Sequence, residues 1–321
     1  MAAGASLGPG PHLVFLYDDL FLRHQSPGHP ESPDRLRAIT EQLYSEPRLA
    51  HCPWRTAPAA TDEDILLVHT SRHLEHIRSL SASGGGWIDA DTYCDGESLA
   101  VAVGAVGVSL AAVELATGSP ATSAFALVRP PGHHATPERA MGFCLFNNVA
   151  IAVRHAQTKL GAERVAVVDL DVHHGNGTQD IFYQDGSVLY CSLHQLPLYP
   201  GSGTAAERGI GAGLGQTINV PLAPGTGPDR WLAALREVVV PAIRQHHPQL
   251  VLVSAGFDAL AGDPLAQLEL LPETYAAAAQ MLAQVAVDVA AAPTVWVLEG
   301  GYDLSQMPEA VRQAALALAA A

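Results

Sequence analysis

Charged residues are scarce in this chain of 321 residues and make up only 15% of it, whereas about a quarter is usual in soluble proteins. Basic residues are the scarcest, with 17 Lys and Arg against 32 Asp and Glu, so the net charge is −15. A protein that binds nucleic acid through its phosphates needs the opposite sign, and we therefore expect no direct nucleic-acid partner. The excess of acid either attracts a cationic partner, such as a lysine-rich peptide or a polyamine, or serves solubility alone.

Cysteines are also few, and the four that are present form no C-x-x-C pair. The residues before Leu13 lack the basic start and long apolar centre of a signal peptide, so we expect a cytoplasmic protein with free thiols. No apolar run approaches the ~20 residues that cross a bilayer, and we expect no membrane association. Residues 1–10 are predicted to form a flexible N-terminus, and residues 11–321 a single folded domain.

Short apolar runs alternate with longer segments of helical pattern. Most of the runs show no polar alternation, which is typical of strands buried on both faces of a parallel sheet. The predicted strands are His12–Tyr17, Ala124–Arg129, Val165–Asp171, Val188–Leu193, Leu250–Ala255 and Thr294–Glu299. The predicted helices are Asp34–Tyr44, Leu99–Ala116, Asn147–Lys159, Asp229–Gln245, Glu273–Ala290 and Pro308–Ala319. The pattern predicts an α/β fold with one open, mostly parallel sheet and helices on both faces. Residues 201–215 lack the G-K-[ST] ending of a phosphate loop and are predicted to be an irregular surface loop.

Polar side chains gather where the predicted strands end. These residues are His133, His134, Asp169, Asp171, His173, Ser192, His194, Asp258 and Tyr302. The carboxyl ends of parallel strands lie along one edge of a sheet, which is where ligands bind in open α/β folds. We therefore expect residues that are distant in sequence to form one site.

Asp171 and His173 are two residues apart on an extended segment, so both side chains point to the same side. Together with Asp258 they would supply three ligands and leave one position open for water, as in catalytic metal sites. These ligand types suit zinc, but iron, cobalt and manganese stay open. The alternative is that the D-x-D-x-H-H run merely caps the following helix; the density of carboxylates and imidazoles without a basic residue favours a cation.

His133 and His134 are adjacent, so one imidazole can face a substrate while its neighbour is held from behind. An imidazole titrates near neutral pH and suits general acid–base catalysis. Tyr302 follows two glycines and could donate to an oxyanion, although a buried structural tyrosine is the alternative. Three other histidines, His155, His246 and His247, are predicted to be exposed.

Eight motifs appear in a fixed order along nearly the whole chain. They are HPESPDR, RPPGHH, GFCLFNN, DLDVHHGNGTQ, SLHQ, YPGSG, SAGFDALAGDP and LEGGYDL. With them the chain resembles the zinc-dependent histone deacetylase superfamily, in particular its class II branch and the bacterial amidohydrolases, which are related to acetylpolyamine amidohydrolases. The resemblance implies an arginase-like fold, and it makes residues 11–321 the deacetylase catalytic domain.

The resemblance also implies roles for individual residues. Zinc would be held by Asp171, His173 and Asp258, with His134 as general base and acid. His133 would be oriented by Asp169, and Tyr302 would polarise the acetyl carbonyl. Gly142, Phe143 and Tyr199 would form the channel walls, Asp91 would bind the substrate backbone at the rim, and Arg35 would line an inner acetate cavity. A potassium ion would be held by Asp169, Asp171, His173, Ser192 and the carbonyl of Leu193. Asn176 stands where class I relatives carry Asp, so one of the two histidines would lack a carboxylate partner.

The substrate stays open between an acetylated lysine peptide and an acetylpolyamine or other small acetylated amine. Leu265 matches a rim position where polyamine-selective relatives carry Glu, and leucine offers a substrate ammonium no partner. This favours acetyl-lysine or an apolar acetylamine, whereas the net charge of −15 leaves cationic substrates open. An inactive acetyl-lysine-binding scaffold is the third alternative. The alanine-rich C-terminal helix does not indicate an oligomeric state, because alanine is also the best helix former.

Overall fold

The computed structural model describes residues 13–26 and 28–321. Its main feature is a parallel sheet of eight strands, in the spatial order β2-β1-β5-β10-β9-β6-β7-β8. The strands of this sheet are β1 (Leu13–Leu16), β2 (Trp54–Arg55), β5 (Ser123–Ala126), β6 (Val165–Asp169), β7 (Val188–Gln195), β8 (Thr217–Leu222), β9 (Leu250–Ala255) and β10 (Thr294–Leu298). A separate antiparallel hairpin pairs β3 (Gly85–Trp87) with β4 (Tyr93–Asp95).

Helices flank the sheet, which agrees with the fold predicted from the sequence. They are α1 (Pro33–Tyr44), α2 (Asp62–Ile65), α3 (Ser71–Ala82), α4 (Ser98–Thr117), α5 (Asn148–Lys159), α6 (Asn176–Phe182), α7 (Pro228–Ala234), α8 (Val240–His246), α9 (Pro272–Ala290) and α10 (Met307–Ala320). A π-helical turn at Leu235–Val239 joins α7 to α8, so the predicted helix Asp229–Gln245 is one helical segment with a widened turn. The predicted loop 201–215 is irregular apart from a 3₁₀ turn at Gly211–Gly213.

All six predicted strands are present, with ends shifted by at most three residues; His12 and the predicted flexible residues 1–10 lie outside the described residues. Strands β5, β6, β9 and β10 are buried along their whole length, as the lack of polar alternation predicts. The sequence patterns missed β8 at the sheet edge, where burial is partial and Pro221 interrupts the run. All four cysteines are buried and free.

The apolarity of α4 contradicts one sequence expectation. This helix of 20 residues has a mean hydropathy of 2.1 over its most apolar window, so by length and composition it could cross a membrane. The expectation that no apolar run approaches that length was therefore wrong. Within the protein, 67% of that window is buried, because α4 contacts α5 and the sheet strands β5 and β10. Its composition therefore fits a core helix that is covered on most of its surface.

Small residues on α4 allow a loop to lie directly on the helix. Ala60 N–H donates to the carbonyl of Val103 at 3.1 Å, and Gly107 faces the carbonyl of Pro58 and the backbone of Ala59. A Cβ at Gly107 would collide with these backbone atoms, which cannot rotate away. Gly104 lies one turn earlier, where a Cβ would meet side chains and no loop backbone: the end of Leu20 at 3.0 Å and the ring of Phe21 at 3.5 Å.

We expect Gly107→Ala to lower the free energy of unfolding by about 1–2 kcal/mol. The overpacking cost of about 1–3 kcal/mol exceeds the gain in helix propensity of about 1 kcal/mol. Gly104→Ala is the matched control, because it brings the same gain in propensity and meets a flexible side chain. Urea unfolding of both variants measures the difference, and an equal stability of the two would contradict this packing.

Candidate active site

The sheet brings the predicted polar residues to one edge. The loops that follow β5, β6, β9 and β10 carry His133 and His134, Asp171 and His173, Asp258, and Tyr302 respectively. These four strands are neighbours in the sheet, in the order β5-β10-β9-β6. The parallel arrangement places their carboxyl ends side by side. Residues up to 169 positions apart in the chain, from His133 to Tyr302, therefore converge on one place.

A cavity of about 180 Å³ opens at this edge. Its lining residues are Asp91, Pro131, His133, His134, Gly142, Phe143, His173, Leu198, Tyr199, Leu265, Gly300 and Tyr302. The list includes all five residues that the family resemblance assigned to substrate contact, namely Asp91, Gly142, Phe143, Tyr199 and Leu265. The cavity therefore joins the predicted rim to the predicted catalytic residues.

Asp171, His173 and Asp258 form a compact buried group at this cavity. One ligand atom from each lies within 4.8 Å of the other two. The Nδ1 atom of His173 is 3.0 Å from Oδ1 of Asp171 and 3.2 Å from Oδ2 of Asp258. The remaining carboxylate oxygens accept backbone N–H groups, from Gly300 to Oδ2 of Asp171 and from Val172 to Oδ1 of Asp258, both at 2.8 Å. Backbone donors therefore fix the orientation of both carboxylates.

The donor set fits a metal ion. Two buried carboxylates converge on the same imidazole nitrogen, which has a single proton to share between them. Burial lowers the pKa of His173, but its hydrogen bonds and the charges of Asp171 and Asp258 outweigh this and raise the pKa to about 10. A proton on Nδ1 of His173 would place one positive charge between the two carboxylates. A divalent cation bound by one atom of each residue would neutralise the group more completely.

His133 is held from behind by a carboxylate. Its Nδ1 lies 3.0 Å from Oδ2 of Asp169, which also accepts the hydroxyl of Tyr190 at 2.9 Å. Its backbone N–H donates to Oε2 of Glu299 at 3.2 Å. Burial lowers the pKa of His133, but the charges of Asp171 and Asp169 outweigh it and raise the pKa to about 10. These carboxylates therefore favour the protonated form of His133.

His134 has an amide partner instead. Its Nδ1 lies 2.8 Å from the side-chain oxygen of Asn176, which accepts a hydrogen bond from the ring N–H. Burial, followed by the charges of His133 and His173, lowers the pKa of His134 well below its usual value. The ring is consequently neutral at neutral pH, and its Nε2 lone pair is free to take a proton.

Tyr302 lines the same cavity as the two histidines. Its ring stands at right angles to that of Phe143, with 5.7 Å between centroids, and the guanidinium of Arg35 lies 4.9 Å from the ring centre. Burial raises the pKa of the phenol well above its usual value, so the hydroxyl keeps its proton and can donate. Gly300 is required beside it, because a Cβ there would collide with the carboxylates of Asp258 and Asp171.

The channel wall depends on two residues with positive φ. Gly142 has φ +55° and Phe143 has φ +69°, and a Cβ at Gly142 would collide with the ring of His134. Thr92, fully buried, accepts the N–H of Phe143 at 3.1 Å and donates to the carboxylate of Asp91 at 3.1 Å. The rim carboxylate and the channel wall are thus fixed to each other. Tyr199 also lines the cavity, with its ring 5.1 Å from that of His134.

Arg35 is fully buried under Tyr302. It donates to the carbonyls of Gly301 at 2.6 Å and Glu299 at 2.5 Å, and to Oε1 of Glu31 at 3.2 Å. Its assignment to an inner acetate cavity stays a prediction. Of the predicted potassium ligands, Ser192 on β7 is the register partner of Asp169 on β6, and Leu193 follows it. The potassium site also stays a prediction.

His155, His246 and His247, which were predicted to be exposed, differ from one another in burial. His155 is buried, and its Nε2 lies 3.1 Å from Oε1 of Glu114, so the expectation that it is exposed was wrong. His246 is half-buried, and His247 is exposed. His155 lies on α5, at the face that packs against α4, which carries Glu114. Helix packing therefore covers this polar residue.

A profile of the histone deacetylase domain matches residues 29–318. The chain belongs to the histone deacetylase family. A histone deacetylase-like amidohydrolase of Pseudomonas aeruginosa is 42% identical over 282 residues, which cover 88% of this chain and 74% of the relative. A probable deacetylase of Methanothermobacter thermautotrophicus is 40% identical, with 95% and 89% covered. The crystal structure of the HDA15 HD domain superposes with a TM-score of 0.90 at 38% identity, covering 97% of this chain and 90% of that one.

Sequence reasoning missed several buried polar residues of this family member. They are Glu31, Thr92, Asp263 and Glu299. Thr92, Asp263 and Glu299 accept backbone N–H groups of other segments, whereas Glu31 pairs with the side chains of Arg129 and Arg35. None of them belongs to a recognisable ligand pattern, so spacing carried little signal. Glu299 would have been the easiest of the four to predict, because a carboxylate that directly follows a buried strand needs a partner.

Glu31 is the centre of a buried charge network behind the site. Its carboxylate accepts two hydrogen bonds from Arg129, at 2.5 and 2.7 Å, and one from Arg35 at 3.2 Å. Burial raises the pKa of Glu31, but Arg129 and then Arg35 outweigh it and lower the pKa to about 2. Glu31 thereby holds Arg35 against the backbone that leads to Tyr302.

We expect Glu31→Gln to lower the free energy of unfolding by about 3–5 kcal/mol, because it leaves two buried guanidinium groups uncompensated. The folded-state pKa lies below the usual value of 4.5, so this stabilisation is complete above about pH 4.5 and is lost as the pH falls toward about 2. The difference in the free energy of unfolding between the wild type and Glu31→Gln should therefore shrink on acidification.

Asp34→Asn is the matched control, since the pair of Asp34 with Arg37 is exposed and worth less than about 1 kcal/mol. Urea unfolding at neutral and acidic pH provides the comparison. Equal stability of the two variants at neutral pH would show that the buried network contributes no more than a surface pair.

Proposed function

We propose that this protein is a zinc-dependent deacetylase that hydrolyses an N-acetyl amide to acetate and a free amine. The observation that carries the proposal is the convergence of His134, His173 and Tyr302 on one cavity of about 180 Å³. A neutral base, a buried three-ligand group and a protonated phenol are the parts that metal-assisted amide hydrolysis requires. The names of the relatives, deacetylases and a deacetylase-like amidohydrolase, support the same reaction class.

Zinc held by Asp171, His173 and Asp258 would supply Lewis-acid polarisation of the acetyl carbonyl and of water. His134 removes the proton of the attacking water through Nε2 and returns it to the leaving amine. Tyr302 donates its hydroxyl proton in a hydrogen bond to the carbonyl oxygen as negative charge develops there. His133, held by Asp169, keeps a positive charge beside this centre. We also retain the potassium ion at Asp169, Asp171, His173, Ser192 and the Leu193 carbonyl as a structural ion.

The channel favours a linear acetylated side chain. Phe143 and Tyr199 line its two walls, so an alkyl stem can lie between the rings. At the rim, the carboxylate of Asp91 can accept a substrate N–H, and Leu265 offers an apolar contact. We therefore propose acetyl-lysine in a peptide as the preferred substrate.

The alternatives are an acetylpolyamine, another small acetylated amine, or binding without turnover. A panel of acetyl-lysine peptide, acetylspermidine, acetylputrescine and N-acetylated aromatic amines distinguishes among them by kcat/KM. Activity on none of these substrates by metal-loaded protein would favour the acetyl-lysine-binding scaffold. We further propose a cytoplasmic location, which the four free thiols support.

Asp258→Ala should abolish both hydrolysis and metal binding. The variant keeps two of three ligands, and an under-coordinated ion is bound weakly. Elemental analysis is expected to show about one metal per chain in the wild type and a strongly reduced content in the variant. Chelation of the wild type should give the same loss, restored by zinc or cobalt.

Glu237→Ala is the control, because Glu237 is an exposed carboxylate on the π-helical turn. It should retain full metal content and activity. If Asp258→Ala keeps one metal per chain and remains active, Asp258 is not a ligand. Full activity of thoroughly demetallated wild type would refute metal dependence altogether.

Tyr302→Phe should lower kcat by about 100- to 1,000-fold, as the loss of one oxyanion donor does in other enzymes. The hydrogen bond is stronger in the transition state than to the neutral carbonyl, so KM should change much less than kcat. Metal content should be unchanged, because Tyr302 is not among the three ligands.

Kinetics, zinc content and melting temperature should be measured on one preparation of the Tyr302→Phe variant. A lower melting temperature with near-normal turnover would mean that Tyr302 is a structural tyrosine. A fully active variant would remove it from the mechanism.

A further inference from the structure

Asp263 is a buried carboxylate whose two oxygens bind different parts of the cavity wall, one at Tyr302 and the other at the rim residue Leu265. It is only 5% exposed. Its Oδ2 accepts the backbone N–H of Tyr302 at 2.8 Å, and its Oδ1 accepts the backbone N–H of Leu265 at 2.9 Å. Both donor residues, Tyr302 and Leu265, line the cavity. One side chain thus connects a wall residue that the mechanism uses to a rim residue that meets the substrate.

The backbone before Tyr302 needs such a constraint. Gly300 and Gly301 precede it, and Gly301 has φ +124°, a conformation that glycine adopts freely and from which it can also depart easily. Hydrogen bonds fix the backbone of this segment at three successive residues. Gly300 donates to Asp171 at 2.8 Å, Gly301 accepts from Arg35 at 2.6 Å, and the next group, the N–H of Tyr302, reaches Asp263. The bond to Asp263 is therefore the last restraint before the phenol side chain itself.

The rim end of the link is short. Only Pro264 separates Asp263 from Leu265, and Pro264 has a fixed φ and no N–H of its own. The hydrogen bond to Leu265 closes this turn on the same carboxylate that holds Tyr302. A displacement of the rim loop by substrate would consequently move the acceptor of the Tyr302 N–H.

We propose that Asp263 is a positioning residue that acts through Tyr302 and couples its placement to the rim loop at Leu265. The inference rests on the proposed function of Tyr302 as the oxyanion donor. Oxyanion stabilisation requires a donor in a defined place, and a misplacement of about 1 Å can cost about 100-fold in rate. Asp263 itself touches neither the three ligand residues nor the substrate amide in this account.

Asp263→Asn tests the proposal with almost no change in shape. The amide offers one acceptor oxygen where the carboxylate offers two, so one of the two backbone N–H groups loses its partner. We expect kcat for a small acetylated amine to fall by about 10- to 100-fold, with KM changed by no more than about threefold and metal content unchanged.

A double mutant decides whether the effect passes through Tyr302. In the Tyr302→Phe background, where the hydroxyl is already gone, Asp263→Asn should lower kcat by no more than about twofold further. A merely structural role would instead multiply the two losses, and that result would overturn the proposal. Asp303→Asn is the matched control, since this neighbouring carboxylate also accepts backbone N–H groups, including that of Ser305 at 2.9 Å, and should leave kcat near wild type.

Crystal structures of the wild type and Asp263→Asn give a readout that does not depend on turnover. The proposal predicts that the Tyr302 hydroxyl moves by about 1 Å and that residues 262–265 shift with it. If the wild type hydrolyses no acetyl amide, the proposed function fails, yet the two structures still decide whether Asp263 positions Tyr302. An unmoved Tyr302 would overturn the inference even in an active enzyme. If Asp263→Asn does not fold, Asp263→Ser, which retains one smaller acceptor, replaces it in both experiments.

Discussion

Four carboxylates are buried at one edge of a parallel sheet, and the rest of the site depends on how their charge is compensated. Asp169, Asp171, Asp258 and Glu299 are each at most 1% exposed. An isolated buried carboxylate is strongly disfavoured, so each must have donors or a cation close by. The backbone N–H groups of the loops after β5, β6 and β10 supply part of this compensation, and imidazoles supply more. The convergence of Asp171 and Asp258 on a single nitrogen of His173 is the part that a metal ion would complete.

The same electrostatic setting separates the two adjacent histidines. His133 has the carboxylate of Asp169 as its partner, which favours its protonated form, whereas His134 has the neutral amide of Asn176, and burial favours its neutral form. Adjacent residues of the same type thus have pKa values shifted in opposite directions by their surroundings. The proposed chemistry uses both properties. His134 must be unprotonated to act as a base, and a positive charge on His133 would help to stabilise the oxyanion nearby.

Much of the sheet could be predicted from the sequence because buried parallel strands have a direct signature. Runs such as Val165–Asp169 and Leu250–Ala255 lack polar alternation, and polar side chains directly after them indicate the ligand-binding edge. The family resemblance then implied roles that spacing alone could not assign. The hairpin β3–β4 was missed because each of its strands has only three residues, most of them half-buried, and such short segments have weak periodicity. Helix α3 was missed although its buried residues His73, Leu74 and Ile77 recur at helical spacing, because its other residues are mostly polar and exposed. The buried restraints at Thr92 and Asp263 were missed because each holds the backbone of a distant segment, and Glu31 was missed because it pairs with the side chain of the distant Arg129. Such contacts leave no local pattern.

The central claim is that a metal ion completes the group formed by Asp171, His173 and Asp258 and that hydrolysis depends on it. Anomalous X-ray diffraction from crystals of the purified protein, recorded on both sides of the zinc absorption edge, tests this claim most directly when the same preparation is assayed for amide hydrolysis. The account predicts one anomalous peak within bonding distance of all three residues in active protein, and no peak in protein inactivated by chelation. Active crystalline protein with no anomalous scatterer of any metal at these residues would contradict it.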